Sequence, residues 1–303
     1  MKTEIVMTPD HRAGGAGGPV SPGRGSGNLT LRVASAAVLA PIVLAITYAG
    51  GWIFLALCAV AAGAVLWEWT SLVCRNADPR FLEPGLAALL GAAVLVGLSL
   101  PGAAFGMIAI GAGLAGLVAV AWSRRDDPAS ATAVWAAGGV AYAGATLLGP
   151  TLLRRDPEWG LTALSFLFAT VWMTDIFAYF CGRAIGGPRL WPGVSPNKTW
   201  AGAIGGLAGG VAAAIAVAYA SGLGRLGIIA VMALLLSVLA QAGDLFESAV
   251  KRHFGAKDAS RLIPGHGGLM DRLDGFLVAA FAALLIGIIR EGTGTPARGF
   301  LVW

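Results

Sequence analysis

The chain has 303 residues, 57% of them hydrophobic and only 12% charged, with a mean hydropathy of +0.76. A soluble domain carries about 25% charged residues, so a water-soluble protein is excluded and one integral membrane bundle is implied. The net charge of +5 is spread over several loops without an aromatic-interleaved basic stripe, which excludes nucleic acid as a partner and favours anionic lipid and anionic nucleotide.

Residues 1–28 are polar and rich in Gly and Pro. They lack the apolar core and small-residue cleavage site of a signal peptide and read as a disordered cytoplasmic tail. Residues 29–303 read as a single transmembrane domain, all-α and polytopic, with its catalytic half at about 160–290. Apolar runs suited to about 30 Å of hydrocarbon occupy 31–48, 52–66, 85–100, 103–122, 131–153, 161–181, 200–221, 226–243 and 273–289. The second, third and last are short for a full crossing. Nine spans put sixteen Lys and Arg residues on the side of the N-terminus and five on the other: Arg154, Arg155, Arg225, Arg290 and Arg298. The basic side faces the cytoplasm. The protein is therefore expected in the cell inner (plasma) membrane, multi-pass, with its active site facing the cytoplasm.

Within the second span, Glu68 stands between Trp67 and Trp69; interface anchoring explains the indoles, and the Glu reads as a supporting partner of the site. Cys58, Cys74 and Cys181 are odd in number and lack paired or metal-ligand spacing, so they read as free thiols in apolar surroundings. Asp175 lies inside an otherwise apolar span, "VWMTDIFAYFCG". A carboxylate there costs roughly 2.5–3.5 kcal/mol or more unless it is partnered, so it reads either as half of a structural ion pair or as part of a polar, ligand-lined cavity. In "SPNKTWAG", Thr199 is placed to cap a helix beginning at Trp200, which leaves Ser195 and Lys198 beside a helix N-terminus suited to phosphate. The Gly-rich run that follows, "AGAIGGLAGGVAAA", has no preceding strand and reads as a helix-packing surface.

Charge then becomes dense. Asp244, Lys251, Lys257, Asp258, His266, Asp271 and Asp274 fall within about thirty residues between two apolar spans. Asp271 and Asp274 are three apart at the start of the last span, on one helix face. With Asp244 from the preceding span they offer oxygen ligands for a hard divalent cation, although first-turn acids also stabilise a helix dipole without any metal. Lys251 and Lys257, interleaved with the acids, suit phosphate. Arg252 and Arg261 read equally well as snorkelling side chains. His266 sits in the turn "PGHGG", where it is a candidate without an assigned acid, base or orienting role.

The stretch "SAVKRHFGAKDASRLIPGHGGLMDRLD" (248–274) closely resembles the signature of the phosphatidate cytidylyltransferases, with Ser248, Lys251, Arg252, Lys257, Asp258, Pro264, His266, Gly267, Gly268, Asp271, Arg272 and Asp274 filling its constrained positions. "DIFAYFCGR" and "SPNKTWAG" are similar to segments upstream in that family. Ala201 departs, standing where many members carry Glu. The resemblance implies an enzyme that joins CTP and phosphatidic acid to give CDP-diacylglycerol and pyrophosphate. It also implies Mg2+, a second, monovalent cation such as K+, and a homodimer. On this view Asp244, Asp271 and Asp274 hold the metal, Lys251, Lys257, Asp258 and His266 share the catalytic site with them, and Asp175, Ser195, Lys198, Ser248, Arg252 and Arg272 bind substrate. "DRLDG" also opens the D-x-x-D-G motif of the CDP-alcohol phosphatidyltransferases, but its continuation is missing. A polyprenol or lipid kinase would have no reason for the long signature. A transporter would scatter acids through several spans and show an internal repeat, neither of which the sequence has.

Overall fold

The computed structural model describes residues 26–73, 79–122, 129–260, 262 and 267–303; side chains are described from residue 37 onward, and not at 129–131. Among them are ten helices and one small hairpin. The helices are α1 (Ser26–Ala49), α2 (Gly51–Val73), α3 (Pro79–Gly97), α4 (Pro101–Trp122), α5 (Ala129–Arg154), α6 (Gly160–Ile185), α7 (Trp200–Ala220), α8 (Leu226–His253), α9 (Met270–Glu291) and α10 (Pro296–Leu301). The hairpin pairs β1 (Arg189–Trp191) with β2 (Ser195–Thr199) in antiparallel register.

Eight helices, α2 to α9, are long and apolar enough to cross a membrane, and α1 adds a shorter apolar stretch, Ala37–Ala49. The protein is thus an all-α, polytopic membrane bundle. Helix rather than sheet follows from the solvent: in hydrocarbon every backbone N–H and C=O must be satisfied inside its own segment. The second, third and last spans are full-length, because the helix continues through polar residues that hydropathy alone discards. Likewise α8 does not stop at Gly243. At 28 residues it is about 42 Å long, so Asp244, Glu247 and Lys251 ride on its last turns rather than in a loop. The tail expected at 1–28 lies outside the described residues up to 25, and helix begins at Ser26.

Two packing styles divide the chain. Helices α2 to α5 interlock through side chains such as Leu66, Leu89, Ile108, Val140 and Leu147. Trp69 belongs to this core. It is 2% exposed, its indole N–H donates to Trp135 O at 2.9 Å, and it stacks beside Tyr142 and Phe246, so the interface role expected for it is corrected. Helices α6 and α7 instead approach backbone to backbone. A Cβ on Gly202 would lie 2.7 Å from Ala178 O, and one on Gly206 would lie 2.8 Å from Thr174 O, so the glycine run is the packing surface its sequence suggests. The C-terminal α10 folds back on α9 and buries Phe300 and Leu301.

Candidate active site

Helices α6 and α8 end, and α7 and α9 begin, at one face of the bundle, together with the β1–β2 hairpin. Between them opens a cleft of about 970 Å3. Asp244 sits nine residues before the end of α8 and Asp175 ten before the end of α6, so at 1.5 Å per residue the cleft reaches roughly 14 Å below those ends.

Eight of the side chains singled out from sequence line this cleft: Asp175, Lys198, Asp244, Lys251, Asp258, Asp271, Arg272 and Asp274. Ser195, Ser248, Arg252 and Lys257 do not. The Arg252 guanidinium turns to the carbonyls of Val194 and Ala256, tying the hairpin to the end of α8, and Lys257 is exposed outside the cleft. His266 lies outside the described residues, as do Cys74 and Arg261. Cys58 is buried and Cys181 half-buried, both as free thiols.

Thr199 caps α7 as expected, accepting from Gly202 N at 3.1 Å. This fixes Lys198 one residue before the helix, where its ammonium pairs with the Asp244 carboxylate across the cleft. Asp175 opens into the same space and forms no ion pair among the described residues, so it is not half of a structural ion pair there.

The metal-ligand geometry differs from the sequence expectation in one member. Asp244, Glu247 and Asp274 each present an oxygen within 4.8 Å of the others, whereas Asp271 is occupied elsewhere. Its carboxylate accepts from Lys251 Nζ at 2.5 Å, from Gly268 N at 2.8 Å and from Ala259 N at 3.1 Å, which is the first-turn role that the dipole argument describes. Lys251 is 8% exposed and bridges Asp271 to Glu247, at 2.6 Å. It therefore joins α8 to α9 instead of reaching out to a phosphate. Glu247 is 1% exposed, and its Oε1 is buried without any hydrogen-bond partner among the described residues. A buried carboxylate oxygen left unpaired costs several kcal/mol. An oxygen-seeking divalent cation among these three carboxylates removes that cost, so the residues present fit such an ion. The sequence signal for Glu247 was available: it follows Asp244 by three on one helix face, the same spacing as Asp271 and Asp274.

Glu68 supports the site from the other half of the chain. It is 0% exposed and accepts from Ser260 Oγ at 2.5 Å, Met270 N at 2.6 Å and Leu269 N at 2.8 Å. Two of those donors are the N–H groups at the start of α9 that no helix satisfies internally, so α2 holds the N-terminus of the helix that carries Asp271 and Asp274. Its grip also explains Gly268, where a Cβ would lie 2.8 Å from Glu68 Oε1. At the rim of the cleft stand Arg183, Arg189, Tyr179 and Asn197, with Arg183 donating to Tyr179 Oη at 2.9 Å. Tyr179 and Arg183 lie four apart on a helix, inside a segment the sequence had already marked.

The fold and the site together define a polytopic membrane protein with a cleft lined by carboxylates and by lysine and arginine side chains. The chain belongs to the cytidylyltransferase family, whose model matches residues 30–289, and is accordingly a nucleotidyltransferase. A protein of Brucella suis named phosphatidate cytidylyltransferase is 44% identical over 275 residues, covering 90% of this chain and 98% of its own length. One of Brucella abortus with the same name is 45% identical over 264 residues, 86% of this chain and 94% of its own. A Staphylococcus saprophyticus protein so named is 40% identical over 139 residues, about half of either chain. Membership in this family replaces the phosphatidyltransferase, kinase and transporter readings.

Proposed function

We propose that the protein transfers CMP from CTP to phosphatidic acid, giving CDP-diacylglycerol and pyrophosphate at the precursor step of phospholipid biosynthesis. One observation carries the reading: a carboxylate triad with an unpaired buried oxygen opens on a cation-rimmed cleft at the membrane edge, where a charged nucleotide and a lipid phosphate can meet. The bacterial relatives of that name support it.

In the reaction a phosphate oxygen of phosphatidic acid attacks the α-phosphorus of CTP. The new P–O bond forms as the α–β bridging P–O bond breaks, and its electron pair leaves with pyrophosphate. The attacking oxygen is already anionic at neutral pH, so no side chain has to serve as a strong base, and catalysis rests on positioning and charge neutralisation. Asp244, Glu247 and Asp274 would hold Mg2+, which when bound neutralises triphosphate charge. Asp175 and Asp258, which line the same cleft without an ion pair among the described residues, are the carboxylates left, and Asp175, on the α6 wall, is the one proposed for a monovalent cation such as K+. Lys198 and Arg272 bind phosphate oxygens, and Arg183 and Arg189 draw the polyanion to the rim. Lys251 and Asp271 lock α8 to α9, so that carboxylates from two helices keep one geometry. The reading places this face in the cytoplasm, where CTP is supplied, and the protein in the inner membrane as a homodimer, which native mass spectrometry in detergent will show as twice the chain mass.

Purified protein supplied with phosphatidic acid and CTP tests the proposal. Label on the α-phosphate is expected in the lipid, and label on the γ-phosphate in pyrophosphate. Transfer of γ-label to lipid, or none from either position, contradicts it.

A further inference from the structure

At the end of the bundle opposite the acidic cleft, two consecutive arginines, Arg154 and Arg155, stand where α5 stops. Arg154 donates from Nε to Thr47 O at 2.7 Å and from Nη2 to Tyr48 O at 2.8 Å, the last carbonyls of α1. Arg155 donates from Nη1 to Val96 O at 2.5 Å and from Nη2 to Ser99 Oγ at 2.6 Å, at the end of α3. Each guanidinium spends two of its five N–H donors on neutral acceptors, and neither has a carboxylate within ion-pair distance among the described residues. The nearest acids in sequence do not neutralise them. Asp156 accepts from the backbone N–H groups of Glu158, Trp159 and Arg298, and Glu158 is exposed, with no ion pair among the described residues. Two other arginines at this end have partners of their own, Arg290 lying over the Trp303 ring at 3.6 Å and Arg298 facing Glu291 at 3.8 Å.

Arg154 and Arg155 line a cavity of about 290 Å3 together with Trp52, Leu55, Val96 and Thr151. Beside its mouth Tyr48 and Trp52 are 74% and 65% exposed, as aromatic residues are at a membrane interface. The cavity is the size of a headgroup rather than of an acyl chain. Two guanidiniums that line one cavity with donors to spare match phosphate oxygens, and the apolar surface next to them matches the chain that a lipid phosphate carries.

We infer that this cavity binds the phosphate of an anionic phospholipid from the leaflet opposite the acidic cleft, with the phosphate between Arg154 and Arg155 and the acyl chains lying outside against Trp52 and Ile53. Free phosphate shares the chemistry, but the apolar mouth selects the lipid. The site is separate from the proposed transferase reaction and stands whether or not that reading does.

The full chain in neutral detergent, labelled with a photoactivatable phosphatidylglycerol and mapped by peptide, tests it. Label is expected in 48–55 and 96–99, with phosphatidylglycerol competing and neither phosphatidylcholine nor millimolar inorganic phosphate doing so. Arg155→Gln should lower labelling at those peptides roughly fivefold, the weight of one basic side chain on an anionic lipid, and Arg155→Lys should restore most of it. Arg155 is the exposed member of the pair, so this variant keeps the Arg154 bonds that hold α1, and its elution and thermal midpoint check that it folds. Equal competition by phosphatidylcholine, label confined to the acidic cleft, or labelling unchanged in Arg155→Gln overturns the inference. Displacement by inorganic phosphate would make it a free-anion site and overturn the lipid assignment.

Discussion

Helices α2 to α5 and helices α6 to α9 are built from similar apolar residues but solve different problems. The first group packs by interlocked side chains, and Glu68 is its one buried acid among the described residues. The second approaches through glycines, which frees volume at one end for a cleft lined by six carboxylates and five cations. Glu68 is where the two meet, because it reaches out of the apolar half to hold the first N–H groups of α9. On the proposed function, α2 therefore acts on the site without lining the cleft: it fixes the start of the helix that carries Asp271 and Asp274.

That division predicts a ranking of effects. Asp274→Asn and Asp244→Asn remove carboxylates that only the second half supplies, and each is expected to cut turnover on the order of 10²–10³-fold while leaving the protein inserted and folded; initial rates with labelled CTP at saturating magnesium measure this. Near-normal rates would mean that the cleft does not carry the chemistry.

Glu247→Gln and Asp271→Asn separate a metal ligand from a clamp. Glu247→Gln should raise the magnesium concentration for half-maximal rate by roughly 10–100-fold, whereas Asp271→Asn should lower kcat without moving that midpoint. If the two effects are exchanged, the assignment first drawn from the Asp271–Asp274 spacing is right and the Glu247 assignment fails.

Glu68→Ala probes the junction. It leaves two N–H groups and a hydroxyl without their buried acceptor, at about 1–3 kcal/mol for each unsatisfied group, so the thermal midpoint should fall. kcat should fall with it while KM for CTP holds. Glu68→Gln, which keeps an acceptor oxygen, should recover part of both. Loss of stability with unchanged kcat would make Glu68 a prop of the fold and not of the site. Smallest of all, Lys257→Ala changes an exposed side chain outside the cleft and is expected to alter kcat/KM by no more than about twofold, in the range of ordinary surface substitutions.

The sequence exposed much of this because membrane solvation is unforgiving. Apolar runs had to be helices, and charges beside them stood out, so Asp175, Lys198, Asp244 and Asp274 could be selected before any coordinates, but so were Arg252 and Lys257, which do not line the cleft. Hydropathy read the spans too short for the same reason: it ends a helix at the first charges, whereas α8 carries its charges on its final turns. Trp69 reads as an interface residue because a Trp near a span end looks alike whether it faces headgroups or a core, and residues of other helices, Trp135, Tyr142 and Phe246, decide between them. Which carboxylates converge is likewise tertiary information. The i,i+3 rule marked Asp271 with Asp274, but it could not show that Lys251 and the Ala259 and Gly268 amides take Asp271 away, or that an acid 202 positions from Met270 supports the helix from outside.

The central claim is that Asp244, Glu247 and Asp274 share one divalent ion. Soaking crystals of the protein with Mn2+ and locating it by anomalous scattering tests this most directly. A single strong peak within bonding distance of oxygens from all three carboxylates is the predicted result. A peak held by Asp271 without Glu247, or no peak in this cleft at Mn2+ concentrations that support turnover, would contradict it.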